Sequence, residues 1–300
     1  MTILEVIQKS TAYLERHGVS SARWQAECLL AHVLQTQRLQ LYLRFDQAVA
    51  EPALEQMRQL LRRRAAREPL QHLVGTVAFG DFELLTTPQA LIPRPETELL
   101  LEHAARWLTA RLAQPGAPPS PRLLDWGTGS GCLAIGLARQ FPQAQVTALD
   151  LSSEALSLAR QNAEKNGVGG RIHFLLSDGY AAVPSDSRFD LVVANPPYIP
   201  TAEIAQLEPE VREHDPRPAL DGGTDGLLFY RRLARESPPY LAPGGTLWME
   251  LGHGQAAAVS QIFTAAGWQI MALEQDYQRI ERVLAVNWPD TARGPLPQNA

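Results

Sequence analysis

Arg122-Leu123-Leu124-Asp125-Trp126-Gly127-Thr128-Gly129-Ser130-Gly131 decides the fold. An apolar run that breaks into three alternating glycines and resumes as a helical stretch, Cys132 to Gln140, reads as strand, tight turn and helix. Glycines at such a turn let the main chain approach a nucleotide-like ligand, because no Cβ stands between them. Further apolar runs at Gln145 to Asp150, Ile172 to Leu176 and Asp190 to Ala194 alternate with a helical stretch from Ser153 to Asn166. This alternation predicts an α/β fold with a parallel sheet covered by helices.

Working outward, the pattern gives a helix over Leu227 to Tyr240, a strand around Thr246 to Leu251, and a helix from Gln255 to Ala266. Two closing strands follow, around Trp268 to Glu274 and Arg279 to Asn287. Upstream, Gln114 to Pro121 holds four prolines and a glycine and reads as a loop. Leu91 to Leu112 reads as a helix with Pro95 in its first turn, where Glu96 and Glu98 suit the positive end. Residues 2–67 form a run of helices, with a capping signal at Ser20 and Ser21. The last of them turns Leu54, Met57, Leu60 and Leu61 inward and places Arg62, Arg63, Arg64 and Arg67 on a solvated face. Between Leu70 and Leu85, short alternating stretches around Gly75 and Gly80 predict a hairpin connector. The expected organisation is a helical domain over 1–72, a connector over 73–92, a sheet domain over 93–288 and a frayed tail over 289–300.

At 300 residues with 45% apolar and 20% charged side chains, the chain is too apolar to be disordered. Ten basic and seven acidic residues precede Gly75, whereas seventeen basic and twenty-five acidic residues follow, so the net charge of −5 divides into +3 and −8. An acidic sheet domain disfavours a nucleic-acid partner, whose phosphates call for clustered cations. No apolar run suits a membrane span and no signal-peptide core opens the chain, so a cytoplasmic protein is expected. Cys28 and Cys132 lie in apolar helical settings and are expected as buried thiols of a reducing compartment. The seven histidines and two cysteines are too scattered for a metal site.

Asp150 ends the strand after the glycine loop, where a carboxylate can accept from both ribose hydroxyls. Dinucleotide enzymes space the last two glycines by two residues; here Gly127, Gly129 and Gly131 are each separated by one. Asp125, at the head of the loop, suits a ligand bearing an ammonium group and would sit poorly beside a pyrophosphate. S-adenosylmethionine meets both demands, held by Asp125, Gly127, Thr128, Gly129, Ser130, Gly131 and Asp150, with S-adenosylhomocysteine as product.

Asn195-Pro196-Pro197-Tyr198 follows the fourth strand at the sheet edge where open α/β folds bind ligands. Pro196 restricts Asn195 to an extended backbone, and the two prolines offer no N–H, which leaves a rigid set of acceptors. A planar NH2 is a poor nucleophile because its lone pair is delocalised. With the Asn195 side-chain oxygen and the Pro196 carbonyl taking its two protons, its nitrogen can be aligned with an incoming methyl group. Tyr198 would stack on the flat face of that group. The catalytic set is therefore Asn195, Pro196 and Tyr198, and Pro197 completes the substrate-binding loop. Adenine, cytosine, guanine and glutamine side chains all carry such an NH2, and the tetrapeptide does not choose among them.

Together with Pro69-Leu70-Gln71-His72-Leu73-Val74-Gly75, Leu91-Ile92-Pro93-Arg94-Pro95-Glu96-Thr97-Glu98, Pro218-Ala219-Leu220 and Gly222-Gly223-Thr224-Asp225-Gly226-Leu227, these motifs extend over nearly the whole chain. The chain resembles the bacterial release factor glutamine methyltransferases, the PrmC or HemK family of protein-(glutamine-N5) methyltransferases. The resemblance implies a seven-stranded Rossmann-like class I methyltransferase sheet with a small N-terminal all-helical domain and a β-hairpin connector. It implies methyl transfer to the Gly-Gly-Gln glutamine of class 1 peptide chain release factors, with the helical domain docking the protein substrate; a monomer is expected, although the sequence leaves the oligomeric state open. It places Asp178 and Gly179 beside the adenine and Asn195 near the methyl group. It also makes Arg94, Glu96 and Glu98 candidates for an active-site role, which a helix-start role explains nearly as well. Relatives often carry a bulky aromatic residue directly after that aspartate; here Gly179 stands there, followed by Tyr180.

Three rival readings remain at this level. A DNA or RNA base-amino methyltransferase would share fold and tetrapeptide, a non-catalytic cofactor-binding interaction module would not need the tetrapeptide, and a nicotinamide dehydrogenase would need other glycine spacing. His214 and Asp215, in the long loop after Tyr198, are expected to face solvent.

Overall fold

In the computed structural model, which describes residues 1–289, the chain divides into two units. The first holds Met1–Thr76 with Thr86–Pro88 and Leu207–His214, and the second holds the remainder.

The first unit contains α1 (Ile3–Arg16), α2 (Ala22–Val33), α3 (Arg38–Tyr42), α4 (Glu51–Ala65) and α5 (Leu70–Val74). Thr2 and Glu5 form a reciprocal capping box on α1. Ile3, Ile7, Leu29, Leu30, Leu41, Met57 and Leu73 close the core. Three expectations change here. Ser21 caps α2 in the left-handed conformation without a side-chain bond, and Gln25 Nε2 donates to the Ser20 carbonyl instead. Leu70–Val74 is a helical turn that ends at left-handed Gly75. Arg64 is 3% exposed and does not lie on a solvated face. Its Nε donates to Gln25 Oε1 at 2.6 Å and its Nη2 to Glu210 Oε1 at 2.6 Å. Glu210 belongs to the 207–214 segment that joins this unit.

The second unit begins at Val77, within the hairpin β1 (Thr76–Phe79) and β2 (Phe82–Leu85), followed by α6 (Pro95–Leu112). It continues through β3 (Arg122–Trp126), α7 (Cys132–Gln140), β4 (Gln145–Asp150), α8 (Ser153–Lys165), β5 (Ile172–Leu176) and β6 (Phe189–Ala194). After the short α9 (Pro209–Arg212) of the first unit come α10 (Leu228–Glu236), β7 (Leu241–Glu250), α11 (Ala256–Ala265), β8 (Gln269–Gln275) and β9 (Glu281–Asn287). The seven sheet strands run in the order β5-β4-β3-β6-β7-β9-β8. Alternate residues face two cores: Leu123, Leu191 and Val193 pack with Leu100, Leu108 and Leu133, whereas Leu124, Val192 and Met249 pack with Tyr230, Val259 and Phe263.

The strands β3 to β6 pair parallel, as the alternation predicts, and the two closing strands make the sheet mixed: β9 pairs antiparallel with both β7 and β8. The reason is length, since the few residues between β8 and β9 can form a hairpin and cannot make a parallel crossover. The chain extends from β3 to one side through β4 and β5, then crosses to β6 on the other. The carboxyl ends of β3, β4, β6 and β7 thus meet at a topological switch point, where open α/β sheets bind ligands. From residue 290 on, the expected tail lies outside the described residues. Among the described residues no helix is long and apolar enough to cross a membrane.

Candidate active site

The turn after β3 runs through left-handed backbone at Gly127 (φ +75°), Gly129 (φ +54°) and Gly131 (φ +87°), which favours glycine at each. A Cβ on Gly127 or Gly129 would meet nothing within 4 Å, so the main chain borders open space there. At Gly131 a Cβ would press on Ala159 and Ile135, so this glycine serves close packing of α7 and α8. The amides of Gly127 and Thr128 both donate to the Leu149 carbonyl, tying the turn to β4.

Asp150 at the end of β4 accepts from Gly129 N at 2.8 Å and Ser152 N at 2.9 Å, one donor on each oxygen. Each oxygen keeps acceptor capacity for ribose hydroxyls, and burial raises this carboxyl above its ordinary range. Asp125 is 1% exposed. Its Oδ2 accepts from Thr128 Oγ1 at 2.6 Å and Ala134 N at 3.1 Å, whereas Oδ1 has no partner among the described residues. Burial pushes this carboxyl up to about 7, against the lowering pull of its two donors. An orphaned acid oxygen beside an open glycine turn fits a ligand that brings a nucleoside and a cation.

Asn195 lies just beyond β6, half-buried. Its Nδ2 donates to Thr97 Oγ1 at 3.0 Å, and that hydroxyl donates to Glu250 Oε2 at 2.6 Å. The other Glu250 oxygen accepts from the Tyr198 hydroxyl at 3.3 Å, and the Tyr230 hydroxyl donates to the Glu250 carbonyl at 3.0 Å. Glu250 is 1% exposed. Burial, joined by the negative Glu96, pushes its carboxyl up to about 7 against the lowering bonds from Thr97 and Tyr198. Gln255 Nε2 donates to the Tyr198 carbonyl at 2.9 Å. Gly222 comes so close to the same loop that a Cβ would stand 2.8 Å from Tyr198 Cα, which explains a glycine there. The tetrapeptide is therefore gripped from α6, β7 and the 222–226 loop.

The remaining expected residues fall nearby in varied roles. Asp178 is exposed and paired with Arg232 of α10, which also donates to the Asp178 carbonyl at 2.9 Å; Gly179 beside it is left-handed. Tyr180 turns into the core, donates to Ser237 Oγ and stacks on Tyr240, so it presents no face to a ligand. Leu151, directly after Asp150, is 68% exposed and offers an apolar surface that the sequence reading passed over. Arg94 is the N-cap residue of α6 and pairs with Asp215, which is buried and does not face solvent as expected. Glu96 and Glu98 occupy the first turn of α6. Of the segment 94–98 it is Thr97 that touches Asn195. Cys132 is buried and Cys28 only half-buried. Thr97, Glu250 and Gln255 were missed by sequence reasoning; a lone acid at the end of the apolar run Leu247-Trp248-Met249 was the available signal.

Residues 5–75 match the PrmC N-terminal domain family and residues 98–207 the methyltransferase small domain family. A release factor glutamine methyltransferase of Geobacter sulfurreducens is 44% identical over 284 residues, covering 94% of this chain and 95% of that protein. One from Chlorobaculum tepidum is 41% identical over 289 residues, covering 95% and 96%. A crystal structure of a methyltransferase from Pyrococcus furiosus is similar in fold, with a TM-score of 0.50 and 18% identity over 78% of this chain and 98% of that one. With identity of this level over nearly the full length, the chain belongs to the release factor glutamine methyltransferase family.

Proposed function

We propose that the protein transfers a methyl group from S-adenosylmethionine to the side-chain amide nitrogen, N5, of the glutamine in the Gly-Gly-Gln motif of class 1 peptide chain release factors. The observation that carries this reading is the full-length likeness to relatives of that name, together with an intact Asn195-Pro196-Pro197-Tyr198 beside the Asp125 and Asp150 carboxylates.

S-adenosylmethionine, when bound, supplies an electrophilic methyl group on a sulfonium. Gly127, Thr128, Gly129, Ser130 and Gly131 provide the turn that receives it, Asp125 Oδ1 the partner for its ammonium, and Asp150 the acceptors for its ribose. Asp178, Gly179 and Leu151 border its adenine. Asn195 Oδ1 and the Pro196 carbonyl accept the two protons of the glutamine amide, and Tyr198 with Pro197 covers it. With the methyl donor held there, the glutamine nitrogen would give its lone pair to the new N–C bond and the electrons of the broken S–C bond would stay on sulfur. The nitrogen then sheds one proton to solvent. Positioning carries most of this catalysis, since no group of the protein changes its covalent bonds.

The helical unit supplies the docking surface for the protein substrate. Its exposed Trp24, Leu39, Tyr42 and Leu43 support that role, because apolar side chains left on a surface mark protein contacts. The enzyme acts in the cytoplasm as a monomer, without nucleic acid or membrane.

The test is mass spectrometry of tryptic peptides from a release factor incubated with the enzyme, beside DNA and ribosomal RNA as competing substrates. A gain of about 14 Da on the Gly-Gly-Gln glutamine is expected. Label confined to nucleic acid would overturn the reading. Asn195→Ala is expected to lower kcat at least tenfold, about 1.4 kcal/mol of barrier.

A further inference from the structure

A side-chain amide can present either its oxygen or its NH2, and only its neighbours decide which. Asn195 must present oxygen to a substrate NH2; the reverse sets two donors face to face. Around Asn195 the donors and acceptors are determined by one buried chain of bonds. An ionised Glu250 can only accept, so the single proton of the Thr97 hydroxyl goes to Glu250 Oε2 at 2.6 Å. Toward Asn195 that hydroxyl is then an acceptor, and it takes the Nδ2 proton at 3.0 Å. The Asn195 carbonyl oxygen is left pointing away from Thr97, available to the substrate.

We propose that Thr97 and Glu250 are positioning residues for the reaction, forming a one-way hydrogen-bond relay that holds the Asn195 carbonyl oxygen toward the substrate amide. The proposal rests on the glutamine reading above for its substrate, while the relay itself exists in the free protein.

The relay has a direction only while Glu250 is charged. A protonated Glu250 donates to Thr97, whose own proton is then free for Asn195 Oδ1, and the amide can turn over. The groups facing Glu250 bear on where that happens. Glu96 on α6 disfavours the charge, Arg282 on β9 favours it, Thr97 and Tyr198 donate to it, and Tyr230 on α10 and Cys132 on α7 lie in its field. With the Glu250 carboxyl pushed up to about 7, the relay forms as pH rises through the neutral range.

Two measurements test this. The first needs no substrate: in nitrogen-15 NMR of the free protein, the Asn195 side-chain NH2 signals, assigned by their loss in Asn195→Ala, should titrate with a midpoint near neutrality. They should stay flat in Glu250→Gln. The second is kinetic. Thr97→Val should lower kcat on release factor at least tenfold with KM changed less than threefold, Thr97→Ser should stay within threefold of the parent, and Glu250→Gln should lose the acidic limb of the kcat profile. S-adenosylhomocysteine affinity and the melting temperature confirm that each variant is folded. If Thr97→Val keeps parental kcat and acidic limb, or the Asn195 signals do not respond to Glu250→Gln, the relay is wrong. Should the parent enzyme label only nucleic acid, the substrate reading fails, and the NMR titration still decides the relay.

Discussion

Arg94 Nη2 lies 2.6 Å from Asp215 Oδ2, joining the start of α6 to the loop beyond the tetrapeptide across 121 positions of chain. The Asp215 side chain is 1% exposed and that of Arg94 33%. The same residue that caps α6 therefore also neutralises a buried acid. Arg94 also keeps the first turn of α6 in place, since its carbonyl accepts from the Thr97 amide at 3.0 Å.

Removing Arg94 takes a charge partner from a buried acid, a costly way to break an ion pair even where other interactions of Asp215 remain. Arg94→Ala is expected to lose about 2 kcal/mol in urea denaturation, discounted for the partial exposure of the arginine. Arg94→Lys, which keeps the charge but not the planar fork, should recover part of it. Equal midpoints for Arg94→Ala and the parent would remove the pair from any structural role.

Arg64 makes a sharper case because its side chain is 4% exposed and Glu210 is 19% exposed. The guanidinium is divided among Gln25 Oε1, the Glu68 carbonyl and Glu210 Oε1. Arg64→Met fills the volume but gives up these bonds and leaves Glu210 to Arg67, whose Nη2 lies 2.7 Å from Glu210 Oε2, so a loss of about 2 kcal/mol is expected. The double variant Arg64→Met/Glu210→Gln also gives up the Arg67 pair, so it should be no more stable than the single variant. Proteolysis within 207–214 should accelerate in the single variant and further in the double.

These ion pairs also mark where sequence reading stops. Strand β3, its glycine turn, Asp150 and Asn195-Pro196-Pro197-Tyr198 are local patterns in which period, turn chemistry and a carboxylate at a strand end all lie within a few residues. Thr97 and Glu250 are separated by 153 positions, and Asn195 and Thr97 by 98. No local spacing encodes such pairs; they meet only because α6 and β7 converge on the edge where β6 ends. Arg64 fails differently: an arginine run near a helix end looks like a solvated face, and only the return of 207–214 to the helical unit covers it. The order β7-β9-β8 is similarly a matter of insertion, which no single strand reveals.

The glycine turn yields a paired prediction. Gly129→Ala places a methyl group where nothing lies within 4 Å, so folding should lose only the left-handed backbone strain, about 1–2 kcal/mol. Affinity for S-adenosylhomocysteine, measured by titration calorimetry, should nevertheless fall at least tenfold, because the methyl occupies the ligand's approach. Gly131→Ala should invert the ranking. Its Cβ would stand 3.2 Å from Ala159 Cβ and Ile135 Cδ1, and overpacking adds to the strain for a total of about 2–4 kcal/mol. Unchanged affinity in folded Gly129→Ala would mean that the turn does not face the ligand.

The stability of the protein depends on pH through Asp125. In the native state this carboxyl is raised from 3.8 to about 7, chiefly by burial. The native protein thus holds the proton more tightly than the unfolded chain, so the stabilising contribution is complete below pH 4 and is lost as pH rises to about 7. The change amounts to about 4 kcal/mol for a shift of this size. Asp125→Asn should abolish this slope and be more stable than the parent at pH 8, with the difference gone at pH 4. Ligand binding should run the opposite way. An ammonium group gains from Asp125 only when the acid is ionised, so S-adenosylhomocysteine affinity in the parent should rise as pH increases from 6 to 8 and stay level in Asp125→Asn. Affinity that is equally pH-dependent in both proteins would place the ammonium elsewhere. Stability and binding thus pull on one proton in opposite directions, as expected of an acid kept buried for a cation that arrives with the ligand.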